Sequence, residues 1–433
     1  MPQLRRVLGT TFGLALVVGA TIGGGILHTP GDVAAALPAA ALIMTAWALG
    51  AVNILLGGAL YAELGAMMSK AGGPYVFADR AFGRRVGSLV GYADFLNWAV
   101  SSAALLLLAG EYMGGLIPPL QGHTLLAGLL AFAVLAIVQW RGVVEGGRAQ
   151  ELTTVLKTVG FVVLIIAAFM LPHATAVPPQ VTPVVPHGIA LFLAFGIAMQ
   201  GIVFTYDNYY TIVYCGEEIR EPGREIPQSI FRGSALIIVL YMLINAAFLH
   251  VVPAASMAGD PFVGATVARS IFGAHGDTII RLIMVVSVLG TVNAQIMAAP
   301  RVALALARKR LFPAAVLKVN DGGTPTTALA LTLVLVLAFV LTGSFNAVLG
   351  IDSFLIVSIY LVVFGSFFVL RRREPDAERP YRAPGYPWLP GLAVVASVVL
   401  LVAMALGDWK SAVIMAALVG VCWPLSRMLP RAN

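Results

Sequence analysis

Long apolar runs recur along the whole chain, and they restrict its fold more than any other feature. A helix needs about 20 apolar residues to cross the roughly 30 Å hydrocarbon core of a bilayer. Runs of about that length or more recur twelve times in the 433 residues. Only 11% of the residues are charged, and the mean hydropathy is +0.92. A soluble domain carries about 25% charged residues, so the chain is predicted to be an all-α polytopic membrane protein.

The twelve runs define the predicted transmembrane helices. Their approximate limits are 10–30, 38–67, 86–116, 124–140, 149–171, 188–212, 230–252, 278–306, 326–342, 346–370, 388–406 and 411–427. The proline-rich stretch from Pro172 to His187 has no basic residue and is predicted to be an extended external connector. The last two helices follow the basic run Arg371-Arg372-Arg373, and we expect them to be additions to a core of ten.

The basic residues are distributed unequally between the predicted loops, which indicates the orientation of the chain. With the N-terminus inside, 23 of the 27 lysines and arginines fall on the cytoplasmic side and three on the opposite side. Because lysine and arginine accumulate in cytoplasmic loops, both termini are predicted to be cytoplasmic, in the inner (plasma) membrane. The same bias accounts for the net charge of +7 without a nucleic-acid partner. The remaining basic residue, Lys157, falls inside a predicted helix.

The first predicted helix contains three adjacent glycines, within Gly19-Ala20-Thr21-Ile22-Gly23-Gly24-Gly25-Ile26. Each glycine costs a helix about 1 kcal/mol relative to alanine, so the run favours local unwinding. Unwound backbone at membrane depth is tolerated only where it lines a cavity or is buried in protein. Many transporters build their substrate site from such a broken helix. A packing face of small residues is the alternative interpretation.

A second irregular segment, Phe204-Thr205-Tyr206-Asp207-Asn208-Tyr209-Tyr210, occurs five helices later. Its acid, amide and threonine side chains compete with the helix for backbone hydrogen bonds. A carboxylate such as Asp207 inside a span costs about 2.5–3.5 kcal/mol on insertion scales. Two irregular helices at matching positions are typical of inverted-repeat transporters. The predicted units are residues 1–171 (helices one to five), 188–370 (helices six to ten) and 388–433 (helices eleven and twelve with a cytoplasmic C-terminus).

Several motifs along most of the chain resemble those of the amino acid–polyamine–organocation (APC) family of permeases. They are the glycine stretch of the first helix, Tyr61-Ala62-Glu63-Leu64 leading to Gly72-Gly73-Pro74-Tyr75, the segment from Glu217 to Pro227, the segment from Asn293 to Pro313, and the segment from Arg379 to Pro387. The resemblance implies a LeuT-type fold, a five-plus-five inverted repeat with two C-terminal helices. It also implies transport of amino acids or related amines. Many members have Gly-Trp after the aspartate, where this chain has Asn208-Tyr209.

The resemblance implies a substrate site at the two breaks. The amides of Gly23, Gly24 and Gly25 would hold the substrate α-carboxylate, because free N–H groups at a helix N-terminus attract anions. Carbonyls would accept hydrogen bonds from the α-ammonium; the candidates are those of Ala20, Thr21, Ile22, Phe204, Thr205 and Asp207. Phe204 would also be an aromatic gate, unless it faces the membrane. Candidate side chains for the rest of the substrate are Asn97, Ser101, Ser102, Asn293 and Ser353, although each serine could instead bond to its own helix.

Lys157 lies about two turns into the fifth predicted helix. By resemblance it occupies the place where sodium-coupled relatives hold a cation, beside the first and eighth helices. Its ammonium would then bridge the first helix near Gly19 and the eighth helix. This interpretation predicts sodium-independent transport, either by exchange or by proton symport. A lysine that reaches to the membrane interface is the alternative.

Two features leave alternatives open. Asp207 could pair with a cationic substrate, such as arginine, lysine or a polyamine, or it could brace the broken helix; neutral L-amino acids are the favoured substrates. Glu217, Glu218 and Glu221 lie among arginines, where they could form a cytoplasmic latch or a solvated loop.

Other classes of protein find little support in the sequence. No HExxH, GxSxG or phosphate-binding glycine-lysine motif occurs, so the chain is not expected to be an enzyme, and no cofactor or metal site is predicted. Two broken helices fit alternating access better than an open channel. Some eukaryotic relatives attach a heavy chain through a cysteine after the third helix, and this chain has none there. Amino acids, the lipid bilayer and protons are therefore the expected partners.

Overall fold

The computed structural model describes residues 8–172, 184–341 and 345–427, and in these ranges the chain is almost entirely helical. Two isolated bridges, Leu8 with Ile219 and Val319 with Pro325, are the only β-type pairing within those ranges. The predicted all-α polytopic class is confirmed. Most of the predicted connector at 172–187, together with residues 1–7 and 428–433, lies outside the described residues.

Sixteen α-helices follow one another in the described ranges. They are α1 Thr10–Thr21, α2 Gly25–Ala36, α3 Ala40–Met67, α4 Pro74–Phe82, α5 Arg84–Leu116, α6 Thr124–Arg141, α7 Val143–Met170, α8 Ile189–Tyr206, α9 Pro222–Val251, α10 Ala254–Met257, α11 Val263–Phe272, α12 Gly276–Arg308, α13 Thr326–Val340, α14 Phe345–Arg373, α15 Trp388–Gly407 and α16 Trp409–Arg427. A short 3₁₀ turn, Thr211–Cys215, follows α8.

The number of membrane-spanning helices in the structure agrees only in part with the twelve that the sequence predicts. Nine helical segments in the described residues are long and apolar enough to cross a membrane, and the bent pair of α1 and α2 makes ten. Helix α13, Thr326–Val340, and the stretch Trp409–Gly420 of α16 coincide with the predicted ninth and twelfth helices but fall below that length. The count of twelve therefore stays a prediction.

Helix limits depart from the predicted spans mainly at the ends that are predicted to be cytoplasmic. The fifth span begins at Val143 rather than 149, and the seventh begins at Pro222 rather than 230. Proline at the first helical position has no N–H to leave unpaired, so the polar segment before the seventh span can be helical. Hydropathy detects only the part of a helix that lies in hydrocarbon and misses such extensions. It also gives no sign of the short helices α4, α10 and α11.

The helices differ in how much of their surface the protein covers. The most apolar window of α5 is 89% buried, whereas the corresponding windows of α6 and α15 are 33% buried. On α7 one face carries exposed apolar side chains, including Leu152, Val155 and Val159. The opposite face is buried and carries Lys157 and Gln150. This separation is expected for a helix at the rim of a bundle, with lipid on one side and polar core contacts on the other.

The acidic segment after the second break packs in part against α12, since Glu217 and Glu218 contact this helix whereas Glu221 is exposed. Glu218 is 1% exposed and forms a bidentate ion pair with Arg301 of α12, with oxygen–nitrogen distances of 2.5 and 2.8 Å. Glu217 pairs with Arg308 of the same helix at 2.6 Å. Two ion pairs therefore join this segment to α12, through Arg301 and Arg308.

Candidate functional site

The first predicted break is confirmed. Helix α1 ends at Thr21, α2 begins at Gly25, and their axes are bent by 40°. Ile22 leaves helical geometry with ψ 87°, and Gly24 is the residue before the new helix. The first amides of any helix have no carbonyl partner within it. The N-terminus of α2 therefore presents free N–H groups and the positive end of its dipole in the middle of the protein.

The second predicted break is also confirmed. Helix α8 ends at Tyr206, and the chain turns through Asp207–Tyr210 before the 3₁₀ segment. Asn208 has φ 72°, in the left-handed region that asparagine and glycine tolerate better than other residues. This geometry explains why an asparagine can stand where many APC members have glycine. The Asp207 carboxylate accepts a hydrogen bond from the Tyr360 hydroxyl at 2.6 Å and so fastens the break to α14.

A narrow, partly open cavity lies between the two breaks. Its lining residues are Ala20, Thr21, Gly23, Gly24, Gly25, Ser101, Leu105, Phe204, Thr205, Asn208, Thr291 and Gln295. Eight of the predicted site residues are brought together there, including all three glycines. Its lining combines three glycines, one aromatic residue and residues with hydroxyl or amide side chains.

The other predicted residues do not line this cavity. Asn293 of α12 faces α7, where its amide donates to the Gly146 carbonyl at 3.1 Å and to Gln150 Oε1 at 3.0 Å. Asn97 is buried on α5. Ser353 donates to the Leu349 carbonyl of its own helix at 2.9 Å. Ser102 lies just behind the wall and donates to Gln295 Oε1 at 2.9 Å.

Lys157 makes the contacts that its predicted position requires. The side chain is fully buried. Its Nζ donates to the carbonyls of Gly19 at 2.7 Å, Ile22 at 2.6 Å and Ser287 at 3.0 Å, and to Thr291 Oγ1 at 3.3 Å. The ammonium thus joins the C-terminal end of α1 to α12 and engages the Ile22 carbonyl, one of the predicted acceptors for substrate.

Tyr241 of α9 ties the two breaks together. Its hydroxyl is 2.9 Å from the Thr21 carbonyl and 3.1 Å from the Thr205 carbonyl. Both carbonyls were predicted to accept from a substrate, and each has a second lone pair for that purpose. Ala20, which was also predicted to supply an acceptor, is one of the residues that line the cavity.

Sequence reasoning missed the polar face of α12. Ser287, Thr291 and Gln295 are spaced four residues apart, so they lie along one side of the helix. Ser287 Oγ donates to the Ile22 carbonyl at 2.9 Å, and Gln295 Nε2 donates to Ser101 Oγ at 2.9 Å. Their spacing was the available signal, because three polar residues at that interval in an apolar span indicate a face turned away from lipid.

Within the described ranges no cluster of three or more His, Cys, Asp or Glu side chains is placed to hold a metal ion.

Comparison with known proteins places this architecture among carriers. The family model described as amino acid permease matches residues 8–422. The serine/threonine exchanger SteT of Bacillus subtilis (strain 168) is 28% identical over 420 residues, covering 94% of this chain and 93% of the relative. The b(0,+)-type amino acid transporter 1 of Mus musculus is 25% identical over 94% of this chain and 84% of the relative. The Asc-type amino acid transporter 1 of Mus musculus is 25% identical over 88% and 73%.

Proposed function

The chain belongs to the amino acid permease family, and from that premise we propose that it is a sodium-independent carrier of neutral L-amino acids. Amino acid transport is the property that the family shares. The finer proposal rests chiefly on one observation, the cavity between two broken helices whose lining includes three adjacent glycines. We further propose that helices one to five and six to ten form the inverted repeat, with both termini on the cytoplasmic side of the plasma membrane.

The α-carboxylate and α-ammonium of an amino acid match the polar backbone groups at the two helix breaks. A carboxylate bound to the amides of Gly23, Gly24 and Gly25 would receive charge-assisted hydrogen bonds, which contribute about 1.5–3 kcal/mol each. The α-ammonium would be received by the carbonyls of Ala20 and Phe204, two residues that line the same cavity. Backbone groups would then recognise what all amino acids have in common, and the walls would select among side chains.

Lys157 supports the absence of sodium coupling. Its Nζ lies within 3.0 Å of three backbone carbonyls, of which two belong to the end of α1 and one to α12. Carbonyl oxygens at a helix C-terminus are the groups with which transporters of this architecture coordinate a cation. The Lys157 ammonium already occupies the centre of these three carbonyls, so a sodium ion cannot bind to them at the same time.

Replacing sodium with choline is therefore expected to leave amino acid uptake into proteoliposomes unchanged. The vesicles are loaded with unlabelled amino acid, and uptake of the labelled amino acid is followed in paired buffers of equal ionic strength. A sodium-coupled carrier reconstituted in parallel is the control for leakage of sodium into the choline buffer. Loss of uptake in choline would rule out sodium independence without bearing on the family assignment.

The walls of the cavity favour a neutral substrate. Its polar side chains, Ser101, Asn208, Thr291 and Gln295, are uncharged, and Asp207 is turned toward Tyr360. The relative named as a serine/threonine exchanger supports the same substrate class, and it also favours exchange over symport. We propose small polar amino acids such as serine and threonine as the first to test.

In a competition assay, unlabelled serine or threonine is expected to reduce uptake of labelled serine strongly, and arginine, lysine or spermidine to reduce it little. The physical reason is that a cationic side chain in this cavity would lose its hydration without gaining an opposite charge. Competition by the cationic compounds alone would favour the second candidate, a carrier of cationic amino acids or polyamines that pair with Asp207.

A further inference from the structure

Asn208 lines the substrate cavity, and its side-chain amide makes no hydrogen bond to another of the described residues. The bonds that it forms with Thr211 use the backbone carbonyl instead. This carbonyl accepts from the Thr211 N–H at 3.0 Å and from Thr211 Oγ1 at 2.6 Å. The residue is only 8% exposed. Nearly enclosed polar groups have hydrogen-bond partners as a rule, so an amide without one beside a cavity indicates a ligand.

The turn that carries Asn208 is fixed on both sides. Asp207 is fastened to α14 by the 2.6 Å hydrogen bond from Tyr360, and Thr211, which bonds to the Asn208 carbonyl, is fully buried. The left-handed φ of 72° further restricts the backbone. The place of this side chain beside the cavity is therefore set by the fold and does not depend on a substrate.

Most other polar side chains of the cavity are already bonded to protein. Thr205 Oγ1 donates to the Gly201 carbonyl at 2.8 Å and lies 2.9 Å from Thr29 Oγ1. Gln295 Nε2 donates to Ser101 Oγ at 2.9 Å. A substrate that bonded to these groups would have to compete with bonds that the protein makes itself.

Thr291 and Thr21 complete the set. Thr291 Oγ1 lies 3.3 Å from Lys157 Nζ and 3.2 Å from the Ile22 carbonyl, so it too is engaged. The Thr21 hydroxyl is buried and has no hydrogen-bond partner among the described residues. The cavity thus leaves the Asn208 amide and the Thr21 hydroxyl for a substrate. Since the Thr21 backbone is already a proposed acceptor for the α-ammonium, Asn208 is the better placed to contact the substrate side chain.

We propose that Asn208 is a specificity-determining residue, whose amide bonds to the side-chain hydroxyl of a small amino acid such as serine or threonine. This inference rests on the proposed carrier function. A hydroxyl group donates and accepts, and so does an amide, so the two match in either direction. Alanine would leave the amide unpaired, and a site built to bond a hydroxyl discriminates against the analogue that lacks it. The volume of the asparagine also limits the length of the substrate side chain.

Isothermal titration with serine, alanine and leucine tests the proposal. The wild type should bind serine about tenfold more tightly than alanine, and leucine weakly. Asn208→Gly should fold, because glycine adopts a φ of 72° without strain. It should bind serine and alanine equally, with the alanine affinity of the wild type, because the α-carboxylate and α-ammonium keep their partners. Leucine should bind to it about tenfold more tightly than to the wild type, since the wall has lost a side chain.

Two further variants complete the experiment. Arg310→Gly is the matched control, because Arg310 is also a non-glycine residue with positive φ, 58°, but is exposed and away from the cavity. It should keep the wild-type affinities. Asn208→Asp keeps the volume and tolerates the left-handed region. It should gain affinity for 2,3-diaminopropionate, in which an amino group replaces the hydroxyl of serine, because the new carboxylate pairs with the ammonium. This gain tests the contact even if Asn208→Gly does not fold.

Four results would overturn the proposal. Equal affinity of the wild type for serine and alanine would remove the hydroxyl contact and leave the carrier function standing. A serine preference that persists in Asn208→Gly would assign the contact to Thr21. Altered ratios in Arg310→Gly would show that glycine at positive φ, and not the lost amide, causes the change. Unchanged affinity of Asn208→Asp for 2,3-diaminopropionate would place the side chain out of reach of the substrate. Absence of binding with every amino acid tested instead contradicts the carrier function itself.

Discussion

Replacing Lys157 with methionine is expected to reduce transport by about two orders of magnitude in a protein that still folds. The ammonium donates to the buried carbonyls of Gly19, Ile22 and Ser287 and so joins α1 to α12. Hydrogen bonds from a charged group contribute about 1.5–3 kcal/mol each, and a hundredfold effect corresponds to about 2.8 kcal/mol. Methionine fills the space of the apolar stem but cannot donate a hydrogen bond. Initial uptake rates in proteoliposomes, normalised to the amount of reconstituted protein, measure the loss.

Two further variants separate the proposed role from a general effect of losing a charge. Lys410→Met removes an exposed lysine at the start of α16 and should transport like the wild type. Lys157→Arg keeps the charge but should not restore transport, because a planar guanidinium cannot place a compact charge among three converging carbonyls. Wild-type uptake rates in Lys157→Met would contradict the bridging role of this lysine.

Replacing Gly24 with leucine is expected to weaken substrate binding by about a hundredfold or more. A Cβ atom at this position would lie 2.4 Å from Cδ2 of Leu108 and 3.2 Å from Cγ2 of Val288. The glycine segment would therefore move away from α5 and α12, and its amides would leave the positions from which they reach a carboxylate. Loss of two charge-assisted hydrogen bonds accounts for a change of that size. Thermal-shift titration with the best substrate measures binding and folding together.

Gly391 of α15 supplies the matched control for that substitution. A Cβ atom there would meet no other atom within 4 Å, so Gly391→Leu should bind and unfold like the wild type. Gly24→Leu is expected to elute as a monodisperse peak with wild-type helix content, because the displacement falls on the turn between α1 and α2 and not within a helix. Wild-type affinity in Gly24→Leu would mean that the glycine amides do not hold the carboxylate.

The positions of the spans and of both breaks could be predicted because they depend on local chemistry. An apolar run reveals itself through hydropathy, and Gly23 to Gly25 weaken a helix wherever it packs. The extension of α7 back to Val143 and of α9 back to Pro222 could not be predicted in the same way. Those turns are polar and lie beyond the hydrocarbon, so their helicity depends on contacts with the rest of the protein.

The side chains of the site were harder to predict than its backbone. Asn293 and Gln295 are two residues apart on α12, so they point about 200° apart around the helix. Gln295 lines the cavity, whereas Asn293 packs against Gln139 and Gln150 behind it. A single sequence does not reveal the rotation of a helix whose faces are nearly all buried. Lys157 was easier to place, because an isolated charge in an apolar span has few partners other than broken backbone.

The free amides of the first break are proposed to hold the carboxylate of an amino acid. Isothermal titration of the wild type, Gly24→Leu and Gly391→Leu with serine and with its carboxamide measures this contact. We expect saturable binding of serine to the wild type and to Gly391→Leu, no measurable binding to Gly24→Leu, and little binding of the carboxamide to any of them. Equal affinity of the wild type for serine and its carboxamide, or undiminished serine binding by Gly24→Leu, would mean that these amides do not bind the carboxylate.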